Sequence, residues 1–169
     1  MKKILFFAVS FLLLYAPIAE AQMKVKWDGN SNINWKVKRC YVQNDKCILD
    51  LLVTNNTGST IKSFMFDSFH TYPVHSMAYD DEGNKYPFCS PVGNSPSKKF
   101  SNEETMINGC TNYSGILKFE LPAGLTVKAR IVLNDFDEYA SMLTLVNLGF
   151  GDQLYPGTLE LRNVPVTRE

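Results

Sequence analysis

Apolar and polar side chains alternate with a period of two along much of this chain, most clearly at residues 46–55. There Cys47, Leu49, Leu51 and Val53 take one set of positions, and Ile48, Asp50, Leu52 and Thr54 the other. A strand with one well-buried face has this rhythm. Residues 33–42 read as the strand before it, with Trp35 and Val37 in step, and Gln43-Asn44 as the two-residue turn between them. This hairpin is the expected nucleus of the fold.

The same reading places further strands at residues 60–66, 74–79, 85–88, 115–121, 125–133, 142–148 and 158–164. They are separated by turn residues, among them Asn55-Asn56-Thr57-Gly58, Asp80-Asp81-Glu82-Gly83-Asn84, Pro122-Ala123-Gly124 and Pro156-Gly157. Pro73 argues against one unbroken strand from Ser59 to Tyr79. Residues 22–32 read as a polar lead-in anchored by Trp27. Asp135 is placed to cap a short helical turn, with Glu138 three residues on. Gly149 to Gly151 is expected to interrupt the chain. Many short strands with turn signals between them predict an all-β sandwich.

Residues 1–21 stand apart from that pattern. Lys2 and Lys3 precede an apolar run from Ile4 to Tyr15, and Ala19-Glu20-Ala21 is a small-x-small cleavage signal. This is the form of a secretory signal peptide, and the run is too short for a transmembrane helix. Residue 22 is Gln, so the cysteine that a lipid anchor needs is missing at that position. A periplasmic or secreted protein is expected, with no membrane insertion after removal of the leader, and one domain over residues 22–169. The chain carries 17 basic and 17 acidic residues. Losing Lys2, Lys3 and Glu20 leaves it one negative charge from neutral, a balance that gives no electrostatic reason to expect nucleic acid as a partner.

The four cysteines, Cys40, Cys47, Cys89 and Cys110, all follow the leader. An even number in an exported chain argues for disulfides, and four allow three connectivities. A turn at Gln43-Asn44 would set Cys40 opposite Cys47, which favours that pair and leaves Cys89 with Cys110. The second bridge would close a loop of about 20 residues, for ~3 kcal/mol in the chain-entropy model. It would pin a long segment containing Pro91, Gly93, Pro96 and the basic pair Lys98-Lys99. Zinc is the competing use of the cysteines, but no close Cys-x-x-Cys pair is present.

Four stretches carry a resemblance. They are Leu51-Leu52-Val53-Thr54-Asn55, the run Ala78-Tyr79-Asp80-Asp81-Glu82-Gly83-Asn84-Lys85-Tyr86, the run from Gly115 through Leu121-Pro122-Ala123-Gly124, and Leu159-Glu160-Leu161-Arg162-Asn163-Val164-Pro165. In this order the chain resembles the telokin-like, immunoglobulin-like extracellular domains of bacterial exported proteins, a family of domains of unknown function. The resemblance implies an immunoglobulin-like antiparallel sandwich of about 7–9 strands, on the outer side of the cytoplasmic membrane. It brings no catalytic residues with it. The segment between Cys89 and Cys110 departs from the plain pattern.

Candidate chemistry is sparse. His70 and His75 flank Tyr72-Pro73, with Asp67 nearby; a break at Pro73 would let two imidazoles and a carboxylate converge in a manner that suits zinc or copper. Asp80, Glu82 and Asn84 alternate oxygen ligands around a glycine turn, but the distant bidentate Glu of a calcium loop is missing, because Lys85-Tyr86-Pro87 follows. Asp135, Asp137 and Glu138 cluster beside Phe136 and Tyr139; a sequential cluster is a solvated cap more readily than a cleft pair. No Gly-x-Ser-x-Gly elbow occurs. Trp27, Trp35, Tyr72 and Tyr155 could stack on sugars or peptides, and Trp27 is the best placed for a contact surface. Asn55-Asn56-Thr57 and Asn112-Tyr113-Ser114 match the glycan acceptor pattern.

Taken together, these features predict a non-enzymatic, exported binding or scaffolding module of the cell envelope. It would need no cofactor or metal, its partner being an envelope protein or polysaccharide. Trp27, Tyr72, Lys98 and Lys99 are the expected contact residues. The alternatives are a hydrolase inhibitor acting through the Cys89–Cys110 loop, and a metal-assisted hydrolase built on His70, His75 and Asp67.

Overall fold

The alternation at residues 46–55 becomes a strand in which Cys47, Leu49, Leu51, Val53 and Asn55 are each at most 1% exposed. Burying one such leucine is worth roughly 1.5–3 kcal/mol, so this row fixes which face of the sheet turns inward. The computed structural model describes residues 22–66, 76–87, 106–107, 111–113, 116–151 and 156–168. The strands in those residues are β1 (Lys24–Trp27), β2 (Ile33–Gln43), β3 (Lys46–Asn55), β4 (Ile61–Phe66), β5 (Met77–Asp80), β6 (Lys85–Pro87), β7 (Met106–Ile107), β8 (Thr111–Tyr113), β9 (Ile116–Leu121), β10 (Thr126–Leu133), β11 (Met142–Gly151), β12 (Pro156–Pro165) and β13 (Thr167–Arg168). Among the described residues there is no helix.

The chain is all-β, in two sheets. One, of eight strands, runs in the order β1-β12-β11-β4-β9-β8, with β5 also paired to β11 and β6 to β5. The other, of five, runs β13-β2-β3-β10-β7. The pairings are antiparallel except for β13, which lies parallel to β2. Along one side β11 keeps β12 for its whole length. Along the other it meets β5 from Leu143 to Asn147 and β4 at Phe150 and Gly151. Both sheets contribute to one core. Trp35 of β2 lies 4.4 Å from Phe150 of β11, Phe66 is 4.9 Å from Phe150, and Phe64 meets Phe119 edge-on at 5.3 Å, all centroid distances.

Within the hairpin, a β-bulge between Val37 and Arg39 makes Lys38 an extra residue. It reverses the parity of β2, so that Ile33, Trp35 and Val37 face the core before it and Cys40 and Val42 face the core after it.

The turn sits one residue later than the sequence predicts. Gln43 pairs with Lys46, and Asn44 and Asp45 occupy the turn with φ of 51° and 59°. Both residue types tolerate this left-handed conformation, which a two-residue hairpin of matching twist requires. The shift changes the cysteine register: Cys40 opposes Leu49, and Cys47 opposes Val42. The two cysteines are therefore diagonal neighbours on the inward face, not directly opposed. Both are buried thiols, with their sulfurs 3.4 Å apart.

Three other expectations are corrected. The lead-in contains β1, which pairs with β12. The helical turn at Asp135 does not form: Asp135 has φ of 50°, outside the extended region that a cap occupies. Instead the segment is fixed by buried Phe136, whose N–H donates to Asp45 O at 2.9 Å. Gly149 to Gly151 does not interrupt β11, because the ladder with β12 runs through it to Pro156. The thirteen described strands outnumber the expected 7–9, since β6, β7, β8 and β13 are pieces of two or three residues.

Candidate functional site

The bulge and the inward row of β3 leave the opposite face of the five-stranded sheet to a different set of residues. Across β2, β3 and β10 that face carries registered rows: Tyr41, Ile48 and Val132; Arg39, Asp50 and Arg130; Lys36, Leu52 and Lys128; Asn34, Thr54 and Thr126. Asp50 is the one carboxylate in these rows. It sits in the central strand and is fully buried, while the cations around it are only partly covered.

Asp50 is held from three sides. Arg130 donates through Nε to Oδ1 at 2.7 Å and through Nη2 to Oδ2 at 3.0 Å, a two-pronged grip. Arg39, on β2, donates through Nε to Oδ2 at 2.9 Å, and Lys128, two residues before Arg130 on β10, stands with its Nζ 3.6 Å from Oδ2. Burial by itself would raise the carboxyl's pKa. The hydrogen bonds from Arg130 and Arg39, and the charges of Arg130 and Lys128, outweigh it and pull the pKa from 3.8 to about 2. Arg39 also stacks over the Tyr41 ring, with its guanidinium carbon 4.2 Å from the centroid. The result is an array of cations ordered around one carboxylate on the outer face of the sheet. Lys36 and the bulged Lys38, both exposed, extend it.

The outer face of the other sheet is mixed in charge. Lys26 of β1 opposes Glu160 of β12, which opposes Asn147 of β11. With Asp28 and Thr158 these residues line a hollow of about 160 Å³, smaller than the ~300–1,000 Å³ of drug-sized ligand pockets. The Thr158 N–H donates to the Asp28 carboxylate.

Of the acidic residues singled out in the sequence, Asp80 and Asp137 serve the fold. The Asp80 carboxylate is buried and accepts from Asn84 N at 2.7 Å, Asn84 Nδ2 at 3.0 Å and Tyr86 Oη at 2.7 Å. Burial and the Asp80 hydrogen bond push the Tyr86 hydroxyl well up from its usual pKa. Asp137 accepts from Asn84 Nδ2 and from Tyr139 N, while Glu82, Asp135 and Glu138 are exposed. Asp81 accepts from Ser141 N and Oγ and from Met142 N, which lowers its pKa against the opposing effect of burial. As a thiol, Cys40 is pushed well up from its usual pKa by its hydrogen bond with Cys47 and by burial.

Trp27 is half-buried. Its ring lies against Trp35 at 5.6 Å and over Gly29 and Gly157, and its Nε1 donates to Asn30 O at 3.0 Å. Trp35 packs against the core. Asn55 is not available to a glycan. Its Nδ2 donates to Ser59 O at 2.8 Å and Leu121 O at 2.7 Å, and its Oδ1 accepts from Thr57 N and Oγ1. All four of its hydrogen-bonding positions are filled inside the protein. Asp67, His70, Tyr72, His75, Cys89, Lys98, Lys99, Cys110 and Tyr155 lie outside the described residues.

The sequence reading passed over Lys36, Lys38, Arg39, Asp50, Lys128 and Arg130. The available signal was Asp50 itself, a lone acid between Ile48 and Leu52 in an otherwise apolar strand. Comparison with known proteins finds no family model, no curated protein and no solved structure that matches the chain.

Proposed function

We propose that this chain is a non-enzymatic, exported binding or scaffolding module of the bacterial cell envelope, with an immunoglobulin-like arrangement of its two sheets. The observation that carries the reading is how its buried carboxylates are used. Asp50 and Asp80 turn their oxygens to protein donors, and so does Asp81 nearer the surface. Around Asp50 the protein presents a charged sheet face, a surface that can meet a partner of opposite charge. The leader-like residues 1–21 support export. The diagonal Cys40–Cys47 pair, 3.4 Å apart, supports a bridge formed in an oxidising compartment.

Affinity capture with residues 22–169 from fractionated envelope extract tests the reading. A protein or polysaccharide should be retained and released by excess untagged chain; failure in every fraction removes the proposal. Thiol titration of the exported protein in denaturant checks the address. Few or no free sulfhydryls are expected, and four would argue against an oxidising compartment.

A further inference from the structure

Among the described residues, the outer face of the five-stranded sheet groups five cations around one carboxylate. Lys36, Lys38 and Arg39 come from β2, and Lys128 and Arg130 from β10. Asp50, between them on β3, is fully buried and already engaged. The full chain is neutral, so this is a segregation of charge and not an average property. Side chains of Arg39, Lys128 and Arg130 remain 44%, 34% and 25% exposed while they hold Asp50. Their positions are fixed by the buried carboxylate and need little ordering on binding.

We infer that this face binds an acidic polysaccharide through its carboxylates. The inference rests on the reading of the chain as an envelope binding module and names its partner class. Three features select that class. The cations form a grid, with β2 and β10 separated by two inter-strand steps, about 10 Å, and successive rows by about 7 Å along each strand. A grid of this kind meets a polymer with repeated charges better than it meets a single small anion. The guanidinium fork suits carboxylates, as Arg130 shows with Asp50 at 2.7 and 3.0 Å, and phosphates too, which the vesicle and oligothymidylate arms of the test below separate.

The third feature concerns the aromatic and apolar surroundings. Tyr41, the aromatic of these rows, is 4% exposed and covered by Arg39. It therefore offers no open ring to the bases of a single-stranded nucleic acid. The exposed large apolar residues Met23, Val25 and Tyr139 stand on other segments, and Leu125 lies just ahead of β10. Among the described residues, the rows of the grid thus carry no exposed apolar insert of the kind that anchors an amphipathic surface in lipid.

The test uses residues 22–169 and the K36E/K38E variant, which changes two exposed side chains and leaves the Asp50 array intact. Circular dichroism first establishes that both fold alike. Binding is then measured by calorimetry to polygalacturonate, neutral dextran, phosphatidylglycerol vesicles and an oligothymidylate. Polygalacturonate should bind, neutral dextran should not, and the variant should lose about tenfold or more in affinity. Binding should weaken as salt shortens the screening length. The inference is overturned if polygalacturonate binds no better than dextran, if K36E/K38E binds it as well as the parent, or if vesicles or oligothymidylate bind more tightly. A negative result here alongside successful capture from envelope extract removes the polysaccharide and leaves the binding module standing.

Discussion

Replacing Asp50 with Asn keeps the shape of the side chain and removes the charge around which three cations are arranged. In the folded chain the carboxyl pKa lies near 2 and not at the ordinary 3.8. A depression of that size corresponds to ~2 kcal/mol. Arg39 is 44% exposed, and solvent screens part of its pull, which brings the contribution to about 1–2 kcal/mol. The sign follows from the direction of the shift. The native state holds the proton less tightly than the unfolded chain, so the contribution is complete above pH 3.8 and disappears as pH falls through 2. Asp50→Asn should therefore lower stability by ~1–2 kcal/mol at pH 6, or more where an amide donor is left facing Arg39. The difference from the parent should shrink steadily between pH 4 and pH 2. Urea titrations of both proteins at several pH values measure this directly. A gap that stays constant from pH 6 to pH 2, or an Asn variant as stable as the parent at pH 6, would refute the idea that the ionised carboxylate organises the face.

Two other substitutions address the rest of the fold. Asn55→Ala leaves the Thr57 N–H without its side-chain acceptor and takes the Asn55 amide away from the Leu121 and Ser59 carbonyls, of which Ser59 keeps the Thr57 hydroxyl, and should cost about 2–3 kcal/mol in urea unfolding. Asn55→Asp should do no better, because it points a charge at two carbonyl oxygens. Gly157→Ala would put a methyl group 2.5 Å from the Trp27 ring and 2.8 Å from the Gly29 backbone. A loss of about 1–3 kcal/mol is expected, with a red-shifted tryptophan emission as the ring is displaced into solvent. Unchanged fluorescence would mean that Trp27 does not rest on these glycines.

The hairpin was legible because its period-two pattern is long and its inward row unbroken, and residues 46–55 were bounded correctly by pattern alone. Its turn was misplaced by one residue because Gln43-Asn44 and Asn44-Asp45 are both polar pairs. Only the pairing of Gln43 with Lys46 separates them. Four residues of Lys24–Trp27 are too few to announce a strand without their partner on β12. The acids at 135–138 mimic a cap in sequence, whereas the backbone there turns through positive φ. The cation grid was invisible for a different reason. Its members come from strands separated by up to about ninety positions, and only the register of β2, β3 and β10 lines them up. Asp50 marked the place, but nothing near it in the chain names its partners.

The change of neighbours halfway along β11 has a dynamic consequence. Since β12 accompanies that strand from end to end, opening the β5–β6 hairpin along Leu143 to Asn147 would leave the β12 ladder in place, but it would uncover Ala78 and Tyr86 and break the hydrogen bonds from Thr144 to Tyr79 O and Asp80 O. The hairpin is thus a flap docked through its own buried side chains onto a spine of β11 and β12. Amide protons of the flap should exchange with solvent sooner than those of the spine.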